Sequence, residues 1–493
     1  MKQLLLALAG SIILSPVFAQ SEYSSFTATG RGGATTFVTD YQAVGINPAG
    51  VAMPNIYGKK FAMGYSEFTF SMHSSALTKD ELRTNMRALI LGDTTDPFTQ
   101  EEKINAAKSF TDEGFAINGD LGSFGFSYNS EKFGGIAFRI NDRFQWYSKL
   151  GQTASEILFL GFNAPYFDSV AYLNGLGDTV IVPNNPNMDP DSLQNVLYGF
   201  ANVPNLISDI LDGSVMSMSW MREYNLSYGR KIIGKDSTFA IFGGIGIKYF
   251  QGMAYLDVRS EGGTLDAFSS ISPVFDIDYG TAAQTNPSTI TQSGNFPKPV
   301  GHGFGFDFGV NVLIGGKLKI GAALTNIGSM TWDGNVYTMR DTLVFDTDNP
   351  GLENYNILGN VKDIAGEDGL FVWNGEESRK VNLPTTFRFG ASLRIGKIAE
   401  IGFDAIVPVN DEAANFQKTV FGFGGDISPI KWVRFSAGFL TGGNYDFQVP
   451  VGITFIGRDG KWEGGVASRD AVTFFTQNGP TLSLSMGFLR FRF

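Results

Sequence analysis

Apolar and polar residues alternate along much of this chain, most regularly between Val300 and Ile314. The even positions of that stretch are apolar except for His302, and the odd positions are mostly Gly, Asp and Asn. A period of two predicts a strand with one apolar and one polar face. In a soluble sandwich the apolar face would enter a core. In an outer-membrane barrel it would face lipid, and the polar face would line the interior.

Fourteen segments share this alternation and are predicted to be strands. Their limits are 60–72, 113–128, 133–148, 214–230, 237–258, 300–314, 317–338, 384–396, 398–410, 418–427, 432–441, 447–457, 461–472 and 481–493. The number is even, and each segment is near or above the roughly nine residues that a tilted membrane strand needs. Trp146 and Trp332 continue the apolar phase of their strands, so we expect both in an aromatic girdle at the outer membrane surface.

The links between the predicted strands alternate in length. Long links follow the first, third, fifth and seventh strands, and links of at most six residues follow strands two, four, six, eight and ten. Outer-membrane barrels have long extracellular loops and short periplasmic turns, so this parity places both termini in the periplasm. A soluble multi-domain chain offers no reason for such a parity.

Two of the long loops, at 76–90 and 191–211, have apolar residues near helical spacing. We therefore expect partly helical extracellular loops. Two interpretations stay open: short helices that cap the barrel by packing on each other, or an apolar vestibule that captures an apolar ligand at the cell surface.

Both ends of the chain agree with export to the outer membrane. Residues 1–19 have a basic start, an apolar run and a final Ala19, which is the layout of a signal peptide cleaved after that residue. The last residues form an apolar row at alternate positions that ends in Phe493, an ending typical of barrels read by the outer-membrane assembly machinery. Upstream apolar residues have the opposite phase, which predicts a β-bulge near Gly487.

Composition strengthens the barrel interpretation. The 493 residues include 61 Gly, 44 Phe and no Cys, and 17% are charged, below the roughly 25% of soluble domains. The net charge is −11, and the segments 149–213 and 341–379 carry −6 and −7, so the acidity belongs to the outer loops. These loops are either simply solvated or bridged to lipopolysaccharide by divalent cations.

The sequence lacks motifs for catalysis. His73 and His302 are the two histidines, and HExxH, GxSxG, P-loop and complete GxGxxG motifs do not occur. We therefore expect no enzymatic activity, no catalytic or metal-binding residues and no cofactor. We also expect no nucleic-acid partner, because basic patches interleaved with aromatic residues do not occur.

The segment between the signal and the first strand, residues 20–58, lacks the alternation. It contains a Gly-rich run and the motif Asn47, Pro48, Ala49 and Gly50. By itself the motif predicts a tight turn. Placed between a signal peptide and fourteen strands, it resembles the FadL-type family of outer-membrane transport channels. The resemblance implies an all-β fold: a 14-stranded antiparallel transmembrane barrel, residues 59–493, with this segment as an N-terminal hatch inside it.

Charged residues in the inward phase of the strands are candidates to line the lumen. They are Arg139, Asp307, Arg388, Arg394, Asp404, Arg434, Arg490 and Arg492. They could contact a substrate or form ion pairs against the hatch, and paired charges are the default for a wide barrel that must fill its interior.

The resemblance also implies a function: an outer-membrane channel for passive uptake of hydrophobic small molecules, such as a long-chain fatty acid or a similar apolar ligand. The alternatives are a non-transporting scaffold or shuttle of a protein-secretion system, and a surface adhesin. We expect a monomer in the outer membrane of a Gram-negative cell. Its expected partners are outer-membrane lipid and lipopolysaccharide, the apolar ligand, and the barrel-assembly machinery, which would read Phe493.

Overall fold

The computed structural model describes residues 25–74, 97–112, 114–185, 195–292, 294, 296–354, 371–412, 415–416, 418–443, 445–457, 459–475 and 481–493. The expected signal peptide and the helix expected at 76–90 lie outside these residues.

Fourteen antiparallel strands form a closed barrel, as the alternation predicted. They are β1 (Phe61–Ser74), β2 (Phe115–Ser130), β3 (Gly134–Lys149), β4 (Val215–Lys235), β5 (Phe239–Glu261), β6 (Gly301–Ile314), β7 (Leu318–Trp332), β8 (Thr386–Ile395), β9 (Ala399–Pro408), β10 (Val420–Ile430), β11 (Val433–Gly442), β12 (Val451–Gly457), β13 (Trp462–Ser468) and β14 (Thr481–Arg492). Consecutive strands pair with each other. Pairing of β1 with β14 closes the wall and satisfies backbone groups that an open sheet edge would expose to lipid.

Most predicted strand limits lie within a few residues of the observed ones. The largest differences are at β7, which ends at Trp332 and not at 338, and at β4, which continues to Lys235 and not to 230. β4 continues because its backbone still pairs with β5, up to Phe239 opposite Lys235, although side chains no longer alternate there. These strand ends are set by backbone pairing, which the alternation of side chains does not reveal.

The outside of the wall is apolar. In β6, Phe304, Phe306 and Phe308 are 57%, 45% and 51% exposed, while Asp307 is buried. This arrangement is that of a barrel whose Phe row faces lipid and whose small polar row faces the interior. Val300, which the pattern placed in the lipid-facing row, is buried instead, because it precedes β6 and packs among apolar residues inside the barrel mouth. In the described part of the chain, no helix has the length and apolarity needed to cross a membrane.

The outer ends of the strands carry additional structure. The two longer helices described there are α1 (Gln100–Asp112) and α2 (Gln152–Leu160). A separate four-stranded sheet consists of Ser169–Leu173, Thr179–Pro183, Val196–Leu206 and Leu343–Thr347. Further short strands are Thr264–Ile271, Val336–Met339, Trp373–Gly375, Arg379–Asn382 and Tyr445–Gln448. Single helical turns are Gly161–Asn163, Ile207–Ile210, Pro273–Phe275, Thr281–Thr285 and Val472–Phe475.

The helix expected across 191–211 was wrong for most of its described part. Val196–Leu206 is a strand, and only the turn Ile207–Ile210 is helical. Pro204 lies inside this stretch, and proline disfavours a helix interior because it removes a donor and clashes with the preceding turn. Pairing with Leu343–Thr347, more than a hundred residues away, then supplies the backbone partners.

The outer helices pack on the outside of the wall near its outer end. Phe110 of α1 and Phe159 of α2 belong to one apolar cluster with Met72, Trp146 and Leu256 of the barrel strands. The cluster also includes Met216 and Met218 of β4, and we call it the outer apolar cluster. These barrel side chains have the outward phase but are covered by loop residues. The outer end of the wall is therefore sheathed by protein.

The expectation that Trp146 and Trp332 form an interfacial girdle was wrong. Trp146 is 2% exposed and lies in the outer apolar cluster. Trp332 is fully buried and faces the interior, because a bulge near Asn326, where φ is +62°, reverses the phase of β7. The sequence pattern alone does not reveal such a reversal.

The bulge expected near Gly487 is confirmed. Glu463 pairs with Arg490 and Gly465 with Gly487, so β14 has one residue more than β13 between these pairs. As a consequence, two successive residues of β14, Phe488 and Leu489, are both exposed.

Candidate functional site: the hatch and the lumen

Residues 25–57, called the hatch below, lie against the inward face of the barrel wall. They contain the short turns Phe26–Thr29, Asp40–Ala43 and Pro48–Ala52. Almost every residue from Ser25 to Met53 is buried. A segment this short cannot bury so many side chains on itself, so the wall supplies the burial.

Asn47, Pro48, Ala49 and Gly50 form the hatch turn closest to β6. The Asn47 side-chain oxygen accepts a hydrogen bond from the Ala49 amide at 3.1 Å, as a helix-capping Asn does, and Pro48 occupies the first helical position, where no amide hydrogen is needed. The side-chain amides of Asn47 and Asn311 of β6 lie 3.0 Å apart. A Cβ added at Gly50 would lie 2.8 Å from the Ala43 Cβ, so the turn has room only for glycine.

Asp404 of β9 anchors the Gly-rich part of the hatch. Its Oδ2 accepts hydrogen bonds from the Ala34 amide at 2.6 Å, the Thr35 amide at 2.8 Å and the Thr35 hydroxyl at 3.0 Å. Asp404 is 1% exposed. Successive backbone amides that converge on one carboxylate compensate a buried negative charge.

A second anchor joins the hatch to the C-terminal strands. Asp40 of the hatch accepts a hydrogen bond from Arg490 at 2.8 Å and pairs with Arg492 at 3.4 Å. Both arginines also pair with Glu463 of β13 at 2.7 Å, and Arg434 of β11 contacts the same carboxylate at 2.8 Å. Three guanidinium groups therefore share two carboxylates at the inner end of the barrel, on the side where it closes.

A third anchor lies on β1. Glu67 accepts hydrogen bonds from the Tyr41 hydroxyl at 2.6 Å and from the Gln42 amide at 2.8 Å, and it pairs with Arg139 at 3.2 Å. Glu67 is 4% exposed. Hatch and wall thus share one buried network in which each member has a partner.

Further contacts fasten the hatch around the barrel. Lys319 of β7 donates to the Thr36 carbonyl at 3.1 Å and pairs with Glu400, while Arg31 pairs with Asp426 of β10 at 2.8 Å. Together with the anchors above, hatch contacts reach strands on every side of the wall.

A girdle of inward glycines lets the hatch backbone approach the wall. A Cβ added at Gly135 would lie 2.3 Å from the Val51 carbonyl oxygen, at Gly244 2.3 Å from the Ala49 nitrogen, and at Gly424 2.1 Å from the Arg31 carbonyl oxygen. No side chain fits at such distances. This role of the glycines was not predicted, although the sequence contains a signal for it: glycines occupy the inward phase of many strands where polar side chains could stand.

The lumen on the outer side of the hatch has one polar wall. Arg143 of β3 pairs with Asp120 at 3.1 Å and with Glu223 at 3.2 Å. On the next strands Lys248 pairs with Asp307 at 3.1 Å. The cations of this wall are therefore already neutralised by protein carboxylates.

Immediately outward of these ion pairs, the inner face of the same side of the wall is apolar. Six inward side chains, all at most 6% exposed, form what we call the lumen apolar patch: Met221, Phe250, Tyr255, Met330, Trp332 and Leu383. The rings of Tyr255 and Trp332 have their centroids 5.1 Å apart. Barrel interiors are usually polar, so a cluster of this kind inside the wall requires an explanation.

All eight charged residues proposed for the lumen are placed on the inner side of the wall. Seven are at most 7% exposed, namely Arg139, Asp307, Arg388, Asp404, Arg434, Arg490 and Arg492. Arg394 is 24% exposed and lies 3.6 Å from Glu400. Two of them, Arg490 and Arg492, pair with Asp40 of the hatch, and Asp404 accepts hydrogen bonds from hatch groups. Four others pair with charges of other strands, namely Arg139, Asp307, Arg394 and Arg434. Their partners Asp40, Glu67 and Glu463 were not predicted, because each is far in sequence from the arginine that it contacts.

A cavity of about 490 Å³ opens at the outer mouth of the lumen. Tyr147 and Ser217 line its inner side, and Arg259, Asp411 and Glu412 line its rim. Arg259 pairs with Asp411 at 2.7 Å. Among the described residues, no group of three His, Cys, Asp or Glu side chains has the arrangement of a metal site.

The fold and its contents define a class: a closed, fourteen-stranded antiparallel barrel with an apolar exterior and with its N-terminal segment against the inner wall. Solved structures with a similar fold include the TodX deltaS2S3 mutant monoaromatic hydrocarbon channel, with 7% identity and a TM-score of 0.45 over 95% of this chain and 99% of that one. The toluene transporter TbuX of Ralstonia pickettii has 10% identity and a TM-score of 0.41 over 96% and 99%. A FadL homologue of Pseudomonas aeruginosa has 11% identity and a TM-score of 0.34 over 97% and 98%.

Sequence comparison identifies the family. Residues 187–456 match the model of a family of unknown function (DUF5723). This match covers more than half of the chain, and the protein belongs to that family. No curated protein sequence matches the chain.

Proposed function

We propose that this protein is an outer-membrane channel for the passive uptake of small, uncharged apolar molecules. The observation that carries the proposal is the lumen apolar patch. These side chains are packed against one another and against Phe268, Val300 and Val336, and an apolar ligand that enters among them leaves water. The patch lies on the outer side of the hatch, where a ligand from outside would arrive.

The charges of the lumen favour an uncharged ligand. Arg143 is shared by two carboxylates, and Lys248 and Arg139 each have one. A ligand carboxylate would have to displace a buried protein carboxylate from its cation, which costs several kcal/mol. An uncharged apolar molecule has no such competitor. We therefore infer selection against fatty-acid anions and in favour of neutral compounds.

Passage requires movement of the hatch, because its anchors lie around the inner wall. In this proposal a ligand collects at the outer mouth, binds at the lumen apolar patch, and leaves when the hatch rearranges. The protein acts without catalysis, and its driving force is the concentration gradient of the ligand.

The experiment compares naphthalene with its charged counterpart, 2-naphthoate, in cells that carry the protein or an empty vector. We expect faster naphthalene uptake with the protein and no gain for 2-naphthoate. Met330→Gln places an amide in the lumen apolar patch and should return naphthalene uptake towards the vector level. Met216→Gln, a matched change in the outer apolar cluster, should keep it. Naphthalene uptake equal to that of the empty vector would refute the channel.

A scaffold is the second candidate, and the density of the hatch anchors favours it. Hydrogen bonds hold the hatch to β1 and β9, and ion pairs hold it to β10 and β14. These contacts give a rigid plugged barrel, which a secretion scaffold needs and a channel must loosen. Deleting residues 25–50 separates the two functions. A channel should then show higher ion conductance in planar bilayers and lose its selective uptake of naphthalene. A scaffold would have no naphthalene uptake to lose.

A further inference from the structure

A row of polar residues crosses the outside of the wall at one level. In the strand register Asp142 of β3 lies opposite Arg222 of β4, Arg222 opposite Gln251 of β5, and Gln251 opposite His302 of β6. The row continues through Thr331 of β7 to Lys380 of the short strand Arg379–Asn382. All six have the outward phase of their strands. We call them the polar row.

The polar row separates two apolar zones of the exterior. On its outer side the wall is covered by the outer apolar cluster. On its inner side the next residues are aromatic: Tyr224, Tyr249 and Phe304, with ring centroids 6.1 Å and 5.3 Å apart along the row. Aromatic residues at this position mark the interface between lipid tails and headgroups.

The height of the exposed zone agrees with this boundary. From Tyr249 to Phe239, β5 runs about ten residues, which at about 3.4 Å per residue and a tilt of about 40° span about 25 Å. That is the height of the lipid-facing band of outer-membrane barrels. The polar row therefore lies at the level of the outer-leaflet headgroups.

The polar row exposes positive charge, whereas the protein as a whole is acidic. Arg222 is 38% exposed although its Nε contacts Asp142 at 3.0 Å, Lys380 is exposed, and His302 is 52% exposed. The chain as a whole has a net charge of −11 and its outer loops are acidic. Two exposed cations at the membrane boundary, Arg222 and Lys380, lie below acidic loops and fit an anionic partner that is confined to the membrane.

We propose that the polar row binds the phosphate groups of an outer-leaflet glycolipid through Arg222 and Lys380, with Gln251, His302 and Thr331 as hydrogen-bond partners between them. A guanidinium and an ammonium are the groups that proteins use for phosphate. Arg222 and Lys380 lie four strand spacings apart in this register, about 19 Å at about 4.8 Å per strand, so the two cations contact separate phosphate groups. This inference is independent of what passes through the lumen.

The test measures binding of lipid A, a phosphorylated glycolipid, to the detergent-purified protein by native mass spectrometry. Arg222→Gln with Lys380→Gln removes both cations of the row. The matched control is Arg230→Gln with Lys235→Gln, which removes two exposed cations from the inner end of β4. Heat-modifiable migration on gels confirms that each variant is folded.

We expect the Kd for lipid A to rise about tenfold in the row variant, because each lost contact is a charge-assisted hydrogen bond. The control should bind as the wild type does, and dephosphorylated lipid A should bind all three alike. Equal affinities of wild type and row variant for lipid A would overturn the proposal, and so would an equal loss in the control, which would show an effect of overall charge. Displacement of lipid A by inorganic phosphate at similar concentration would also overturn it, because the site would then bind free anions.

Discussion

Replacing Asp404 by alanine should release the Gly-rich part of the hatch from the wall. In the wild-type protein one buried carboxylate oxygen accepts hydrogen bonds from the amides of Ala34 and Thr35 and from the Thr35 hydroxyl. Alanine removes the carboxylate and leaves the buried amides of Ala34 and Thr35 without this hydrogen-bond acceptor. The barrel strand itself should remain, because its backbone pairs with β8 and β10 do not depend on the side chain.

The size of the effect follows from these three bonds. A hydrogen bond to a charged group contributes about 1.5–3 kcal/mol, and bonds to one oxygen are not additive. We take about 3 kcal/mol for the whole anchor, because removing the carboxylate also removes the cost of burying its charge. At about 1.4 kcal/mol per factor of ten, the population of hatch released at this anchor should rise about 150-fold.

Hydrogen–deuterium exchange measures this population directly, since a buried amide exchanges only when its segment opens. Amides around Ala34 and Thr35 should exchange about 150-fold faster in Asp404→Ala. Asp404→Asn keeps one oxygen acceptor and should give a smaller increase. Asp142→Ala, which removes a carboxylate from the outside of the wall, serves as the control and should leave hatch exchange unchanged.

Two results would contradict this reasoning. Unchanged exchange in a folded Asp404→Ala protein would show that the anchor does not hold the hatch. Equally faster exchange throughout the barrel strands would show that Asp404 stabilises the whole fold and not the hatch in particular.

Three further predictions concern packing, assembly and topology. Gly424→Val should lower the yield of folded barrel or displace the hatch, as its Cβ would meet the Arg31 carbonyl oxygen; an unchanged yield with unchanged hatch exchange would show that the hatch is not seated there. Deleting Phe493 should lower the folded yield far more than deleting one exposed loop residue, measured by heat-modifiable migration, because Phe493 exchanges backbone hydrogen bonds with Phe61. An epitope tag at Asp278 should be labelled on intact cells and one at Ser130 should not, and labelling at Ser130 would reverse the orientation of the barrel.

Much of the barrel was determined by the sequence alone. Each membrane strand faces lipid on one side and the lumen on the other, so apolar and polar residues alternate along it with a period of two. The same local logic predicted the bulge near Gly487, since a phase change in the apolar row requires an extra residue. The capped turn at Asn47 and Pro48 was also readable, because a turn depends on neighbouring residues.

Only the tertiary structure decided which charges meet. Asp40 pairs with Arg490, 450 residues later in the chain, and this contact exists because the barrel closes between β1 and β14 and the hatch lies beside that closure. The inward position of Trp332 has a similar cause. A bulge at Asn326 exchanges the inward and outward side-chain positions in the rest of β7, and pairing with β6 sets the place of that bulge. The polar row on the exterior and the apolar patch in the lumen likewise appear only once fourteen separate alternations are aligned in one register, because each strand contributes just one or two residues to them.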